Sequence, residues 1–205
     1  MMDRLVVKGR SRREQIIAAT AALVGEVGPQ GVSLKAVGAR SGLTHVGVLH
    51  HFRSRQELLL AVLAEHERAG RERLDAIWED GGLATLRRLP EIARAAEKEP
   101  NFTKLALILA ADGLDGNGPV RRYFLDRYRS IRQGLVRTLR RGQEAGEIRP
   151  DIDAEAKAAT IAAFIDAMPI QRFVEPDDAD VARAYDDFVA ALIRDVGVLD
   201  HAAVG

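Results

Sequence analysis

At 205 residues the chain is long enough for one large domain or two small ones around a buried core. Hydrophobic residues make up 47% and charged residues 29%, which excludes disordered, collagen-like and fibrous coiled-coil classes. There is no cysteine, so disulfide scaffolds, thiolate zinc sites, iron–sulfur clusters and thiol nucleophiles are excluded too. Basic and acidic side chains balance at 30 each, but unevenly along the chain. Residues 1–60 hold 9 basic and 4 acidic side chains, net +5, together with His45, His50 and His51; residues 61–205 sum to −5. A basic head on an acidic body suits a phosphate-binding module joined to a part with another task, although chance surface composition produces the same asymmetry.

Helical periodicity runs along almost the whole chain. Ile16, Ile17, Thr20, Leu23, Val24 and Val27 recur at helical spacing until Gly28-Pro29, where the helix is expected to stop. The uncharged run from Gln15 to Gly25 is far too short to span a bilayer, and the arginine-rich residues before it are not followed by an export cleavage pattern. A soluble cytoplasmic protein is expected. A long helix from Leu58 through Leu74 to Trp78 ends at Gly81-Gly82, and further helices are predicted over about 83–97, 102–112, 119–144, 154–174 and 179–198. Pro169 should kink or end the helix that contains it. No segment alternates with period two long enough for a strand, so the fold class is all-α, with about nine helices.

The segment from Val32 to Leu58 is the most informative. Ser33 can cap a short helix, with Val32 and Val37 at the spacing of a hydrophobic staple. Ser41-Gly42 interrupts that helix, and Gly42 can take the left-handed conformation of a tight turn. Thr44 caps a second helix that ends near Phe52, and Ser54-Arg55-Gln56-Glu57 reads as a capping box for a third. Two short helices joined by a glycine turn make a helix-turn-helix, in which Gly38 lets the two helices approach closely. Val37, Leu43, Val48 and Phe52 then point inward, leaving His45, Val46, Gly47, His50 and His51 outward, where they can meet phosphates and base edges.

Residues 10–63 resemble the DNA-binding domain of the TetR family of transcriptional regulators. The likeness is carried by Val32-Ser33-Leu34, Val37-Gly38, Gly42-Leu43-Thr44, His50-His51-Phe52 and Ser54-Arg55-Gln56-Glu57-Leu58-Leu59. It implies a three-helix DNA-binding domain over residues 1–55 and a helical-bundle domain for ligand binding and dimerisation over 56–205. It also implies that Thr44, His45, Val46 and Gly47 meet bases and nearby phosphates, that His51 and Arg55 hold the backbone, and that Lys35 can reach a phosphate or base edge and Ser33 a phosphate. His50 is a further candidate for DNA contact, or a surface histidine with no partner. Leu49 stands where the family usually carries tyrosine, and Gly47 replaces a small polar residue. From Phe102 to Glu175 the chain is similar to the BetI-like C-terminal domains, through Gly118-Pro119-Val120, Gly134-Leu135-Val136, Gly146-Glu147-Ile148-Arg149-Pro150 and Asp166-Ala167-Met168-Pro169-Ile170-Gln171. That likeness implies a homodimer packed through Ile161, Ile165, Met168, Val181, Tyr185, Phe188 and Leu192.

The function implied is a ligand-responsive repressor that binds a palindromic DNA operator and is released by a small molecule. The alternative is an all-α small-molecule binding protein with no DNA-binding role. Trp78, Phe102, Phe124, Tyr128 and Phe164 are candidate pocket residues, although aromatics at helical spacing also serve as ordinary core. His45, His50, His51 and His66 lack zinc-motif spacing, and neither a glycine-rich phosphate loop nor a Gly-x-Ser-x-Gly turn is present. No metal, no cofactor, no membrane partner and no enzymatic activity are expected.

Overall fold

The computed structural model describes residues 11–176 and 180–198, with the backbone alone at 71–74. The N-terminal charges Asp3, Arg4, Lys8 and Arg10, the Leu74 side chain and the first residue of the run expected from 179 lie outside the described part. The described residues form ten α-helices: α1 (Arg12–Gly31), α2 (Leu34–Ser41), α3 (His45–His51), α4 (Arg55–Trp78), α5 (Gly82–Arg87), α6 (Leu89–Lys98), α7 (Pro100–Asp112), α8 (Pro119–Glu144), α9 (Ala154–Val174) and α10 (Val181–Val196). Among them the extended backbone is limited to an isolated bridge between Ile148 and Gly197. The fold is all-α. The extra helix arises because the run expected over 83–97 divides at Arg88: Pro90 has no N–H to give the Leu86 carbonyl, and the Arg88 N–H turns back to Thr85 at 3.0 Å.

The chain packs as two compact units. The first holds the residues up to 69 together with 99–122; the second holds 70–98 and 123 onwards. This differs from a single cut after residue 55. The first turns of α4 bury Leu58, Leu59, Val62 and Leu63, and α7 lies against α1 with Leu105 and Leu109 buried, so both helices contribute to the N-terminal core.

In the first unit α1 starts at a Ser11–Glu14 capping box. It does not stop at Gly28-Pro29. Gly28 adopts φ 74°, ψ 167°, the axis breaks, and one more turn follows to Gly31. Pro29 has no amide to offer Gly25, and Asn101 Nδ2 of α7 donates to that carbonyl instead, at 2.8 Å. Ser33 accepts from the Ala36 N–H and Thr44 from the Gly47 N–H, both at 3.1 Å, so α2 and α3 begin where the capping pattern predicts. Ser54 accepts from the Glu57 N–H at 3.0 Å, while the Glu57 carboxylate reaches the Arg53 N–H, one residue before its expected partner.

Gly38 and Gly42 set the angle between α2 and α3. Gly42 is left-handed, with φ 70° and ψ 32°. The Gly38 carbonyl accepts from Leu43 at 2.8 Å, and a β-carbon at Gly38 would lie 2.7 Å from the Leu43 oxygen. Only a residue without a side chain fits there. Val37, Val48 and Phe52 are fully buried on the inner side of the turn.

In the second unit, Leu86, Leu89, Leu135, Leu139, Ile161 and Leu192 form the centre of one apolar cluster. Buried Thr85 links two elements: its hydroxyl donates to the Ile77 carbonyl and accepts from the Gly81 N–H, each at 2.9 Å. Glu147 supplies a cap from far along the chain by accepting the Leu83 N–H at the start of α5, at 3.0 Å. α9 runs through Pro169 to Val174 and does not end at the proline. The Ile165 carbonyl, which Pro169 cannot serve, accepts from the Tyr185 hydroxyl of α10 at 3.4 Å.

Three outcomes are expected. Gly38→Ala should destabilise the protein by about 1–3 kcal/mol in urea unfolding, through overpacking against the Leu43 carbonyl. Thr44→Ala should cost about 1 kcal/mol through its lost cap. A neutral Gly38→Ala would refute the close approach. Tyr185→Phe should cost about 1 kcal/mol, and much less in a Pro169→Ala background, where residue 169 regains its own N–H for Ile165. Additive effects in that double-mutant cycle would separate the tyrosine from the proline.

Candidate nucleic-acid interface

The sequence of α3, HVGVLHH, contains neither a carboxylate nor a lysine or arginine. Val48 turns inward and is buried; His45, Val46, Leu49, His50 and His51 are exposed, and Gly47 is half-buried beside Leu43 and Thr44. Val46 keeps 61% of its surface and Leu49 37%, which is a large apolar exposure for so short a helix. The exposed face therefore offers imidazole donors and acceptors for base edges or phosphates, and two aliphatic side chains of the kind that meet a thymine methyl. The His50 and His51 rings pack edge to face with centroids 5.9 Å apart.

The flanking candidates divide by what they already do. Ser33 and Thr44 use a hydroxyl lone pair as a cap but keep the O–H as a donor. Lys35 is exposed at the start of α2. Arg55 is more committed than its place in the sequence suggests. Its Nε donates to the Val32 carbonyl at 2.7 Å and its Nη2 to the Pro29 carbonyl, so it ties the start of α4 to the end of α1. Its Nη1 edge is what it can offer a phosphate. On the far side of α2, Arg40 forms a two-bond fork with Glu26 of α1, both bonds at 2.7 Å, and this contact holds the Glu26 carboxyl below its ordinary range. Leu49 belongs to the exposed face as well, as its placement one residue after buried Val48 implies, although the family resemblance marks it only as a departure from the usual tyrosine.

The aromatic candidates occupy several places. Phe102 is in the first unit, stacked on His66 with ring centroids 3.9 Å apart. The others belong to the second unit: Phe124 and Tyr128 stand 6.1 Å apart, and Trp78 packs on the main apolar cluster. Phe164 stacks on Phe188 at 3.8 Å and meets Tyr185 edge to face at 5.0 Å. Beside them Asp166 is half-buried. Burial raises its carboxyl above the ordinary range against the opposing charge of Arg127, and burial followed by the Asp166 charge raises the Tyr185 phenol. A cleft of about 50 Å³ in the first unit, lined by Pro29, Arg55, Leu59 and Asp112 among others, has room for little more than water.

The expected dimer residues need correction. Ile161, Met168, Val181, Tyr185 and Leu192 are buried within the chain's own core, where the apolar stripes of α9 and α10 pack against each other and against α5 and α6. They are not available to a second copy. Ile165 and Phe188 are half-buried, and among the apolar side chains left exposed on α9, Ala163, Ala167, Ile170 and Val174 form a second stripe at helical spacing, with Ala156 and Ala159 exposed nearer the start of the helix. Among the described residues no group of three or more histidine, aspartate or glutamate side chains is placed to hold a metal ion, and no helix is long and apolar enough to cross a membrane.

This geometry agrees with what comparison finds. Residues 16–62 match the family model for bacterial regulatory proteins of the tetR family, and residues 82–188 match that for the tetracyclin repressor-like C-terminal domain. The second model does not single out the BetI-like subgroup, and neither describes a catalytic family. No curated relative matches the chain in sequence. Among solved structures, the TetR-family transcriptional regulator from Cytophaga hutchinsonii superposes with a TM-score of 0.73 at 18% identity, over 91% of this chain and 95% of that one. The transcriptional regulator FadR from Bacillus subtilis, in complex with stearoyl-CoA, gives 0.68 at 16% identity, over 88% and 97%. AibR, in complex with isovaleryl coenzyme A and operator DNA, gives 0.64 at 18% identity, over 89% and 97%. At such identities these structures speak for the fold, and the family models speak for descent. With a helix-turn-helix whose second helix leaves its outer face unused, followed by a matching C-terminal domain over about half the chain, the protein belongs to the TetR family of bacterial regulatory proteins.

Proposed function

We propose that two copies of this chain bind a palindromic operator as a repressor and are released by a small molecule held in the C-terminal domain. The observation that carries the DNA-binding part is the outer face of α3. Val48 and Phe52 anchor the helix from within, while His45, Val46, Leu49, His50 and His51 have no part in the core. In this reading α3 enters the major groove, with His45, Val46 and Gly47 at the bases. Thr44, His50 and His51 lie along the backbone, and Ser33, Lys35 and the free edge of Arg55 contribute phosphate contacts. The net charge of +5 over residues 1–60 supplies the attraction that brings the head to a polyanion. Such a protein works beside the chromosome, in the cytoplasm.

Dimerisation is assigned to α9 and α10, through Ala163, Ala167, Ile170 and Val174 with half-buried Ile165 and Phe188. Two recognition helices so joined must sit about 34 Å apart to read successive turns of one groove. A ligand that favours another spacing weakens DNA binding by the difference in its affinity for the two arrangements, commonly about 1–3 kcal/mol, and DNA weakens ligand binding by the same amount. Support for a ligand comes from relatives of the same fold: FadR was seen with stearoyl-CoA, and AibR with isovaleryl coenzyme A as well as operator DNA.

Selection of bound duplexes from random DNA should return a palindrome whose half-sites are about one helical turn apart. Affinity for it should fall steeply as salt rises; a flat salt response would favour the small-molecule binding protein without a DNA role. His51→Ala should weaken binding to every sequence, whereas His45→Ala should change the preferred base at one position by about 1–3 kcal/mol. An unchanged preference would place α3 outside the groove. Ile170→Glu should convert dimer to monomer in sedimentation experiments and lower operator affinity, and a wild-type monomer at micromolar concentration would overturn the homodimer. Unaltered operator affinity across a panel of acyl-coenzyme A thioesters and apolar compounds would count against release by ligand.

A further inference from the structure

We infer that Arg13, in the first turn of α1, is a second hand on the DNA backbone, held in position by Phe52. The inference rests on the DNA-binding reading and extends it to an element outside the helix-turn-helix. The Arg13 guanidinium carbon lies 4.7 Å from the centroid of the Phe52 ring. Phe52 is the C-cap of α3 and is fully buried, so its ring joins the core below to the arginine above. The first turn of α1 is thereby fixed beside the end of α3 that carries His50 and His51.

A cation stacked on a ring is attracted by the ring's negative face and loses freedom to swing away. Stacking occupies one face of the guanidinium and leaves the N–H donors along its edge. Three other arginines of this unit have partners for those donors. Arg12 reaches Gln15, Arg40 grips Glu26, and Arg55 holds the Val32 and Pro29 carbonyls. Among the described residues no carbonyl or carboxylate accepts from Arg13. Its neighbour Glu14 is taken by the Ser11 N–H at 2.7 Å.

The position is also a poor one for stability. The first turn of a helix carries the positive end of the backbone dipole and favours carboxylates over cations. An arginine there, exposed and without a counter-ion among the described residues, gives the helix little, while a planar fork held at a fixed point beside a groove-binding face suits a phosphate. α1 lies outside the helix-turn-helix, so the contact is with the backbone and carries no base preference.

The test uses the full-length protein and the duplex recovered by selection. Arg13→Met keeps an unbranched stem over Phe52 and removes the charge; Arg13→Gln removes the charge and keeps a polar end. Both should melt near the wild type. Each should bind the duplex about tenfold more weakly per half-site at low salt, with sequence preference unchanged. The slope of log affinity against log salt should be shallower by about 0.9 for each half-site. Phosphate ethylation interference should lose one position per half-site. A variant that melts like the wild type and keeps the full slope and the full interference pattern overturns the inference. So does one that melts lower with its slope intact, because Arg13 would then only cover Phe52. Either result leaves steep salt dependence of the wild type in place, whereas a wild type that ignores salt overturns the DNA-binding reading itself.

Discussion

The approach of α2 to α3 at Gly38 is the constraint on which the rest of the head depends. A carbonyl oxygen of the turn sits where any other residue would carry its β-carbon. The turn can close so tightly because Gly42 takes a conformation that other residues rarely adopt. With the turn closed, Val37, Val48 and Phe52 meet the core and the opposite side of α3 is left facing outward. A side chain at Gly38 would push α3 off this bed and change the direction in which its exposed residues point.

A second theme is how the fold deals with prolines inside helical runs. Each removes an amide that the carbonyl four residues earlier would have used, and an unpaired buried carbonyl costs free energy. Near Pro29 the Gly25 carbonyl is met by the Asn101 side chain, and near Pro169 the Ile165 carbonyl is met by the Tyr185 hydroxyl. At Pro90 the Leu86 carbonyl is met by the Arg88 backbone N–H instead, and the helix divides. In the first two cases the donor comes from another helix, so a local defect becomes a tie between elements: α7 to α1, and α10 to α9.

The all-α class, the caps at Ser33, Thr44 and Ser54 and the glycine turn were all legible from residue types, because those features depend on interactions within a few positions. The helix division at Arg88, the turn beyond Gly28 and the passage of α9 through Pro169 were less legible, since long-range partners decide them. Apolar periodicity identified the buried stripe of α9 and α10 correctly as apolar, while the family resemblance assigned it to a partner copy. Periodicity reports which face avoids water and does not say whether the chain itself or another molecule covers it. Arg55 presents the same difficulty in polar form: its place beside the motif suggests a phosphate, while two distant carbonyls have first claim on its donors. The outer face of α3 was the most legible part of the candidate site, because buried Val48 and Phe52 leave the remaining positions one direction in which to point.

The division of labour within α3 bears on how such a protein changes over time. The most exposed side chains on its outer surface, Val46 among them, can be exchanged without opening a cavity or stranding a buried polar group, because most of their area faces away from the interior. Recognition can therefore drift from one target to another through single replacements that leave the folded state as sturdy as before. The turn glycines and the inward pair, Val48 and Phe52, have no such latitude, and they keep the frame constant while its message is rewritten.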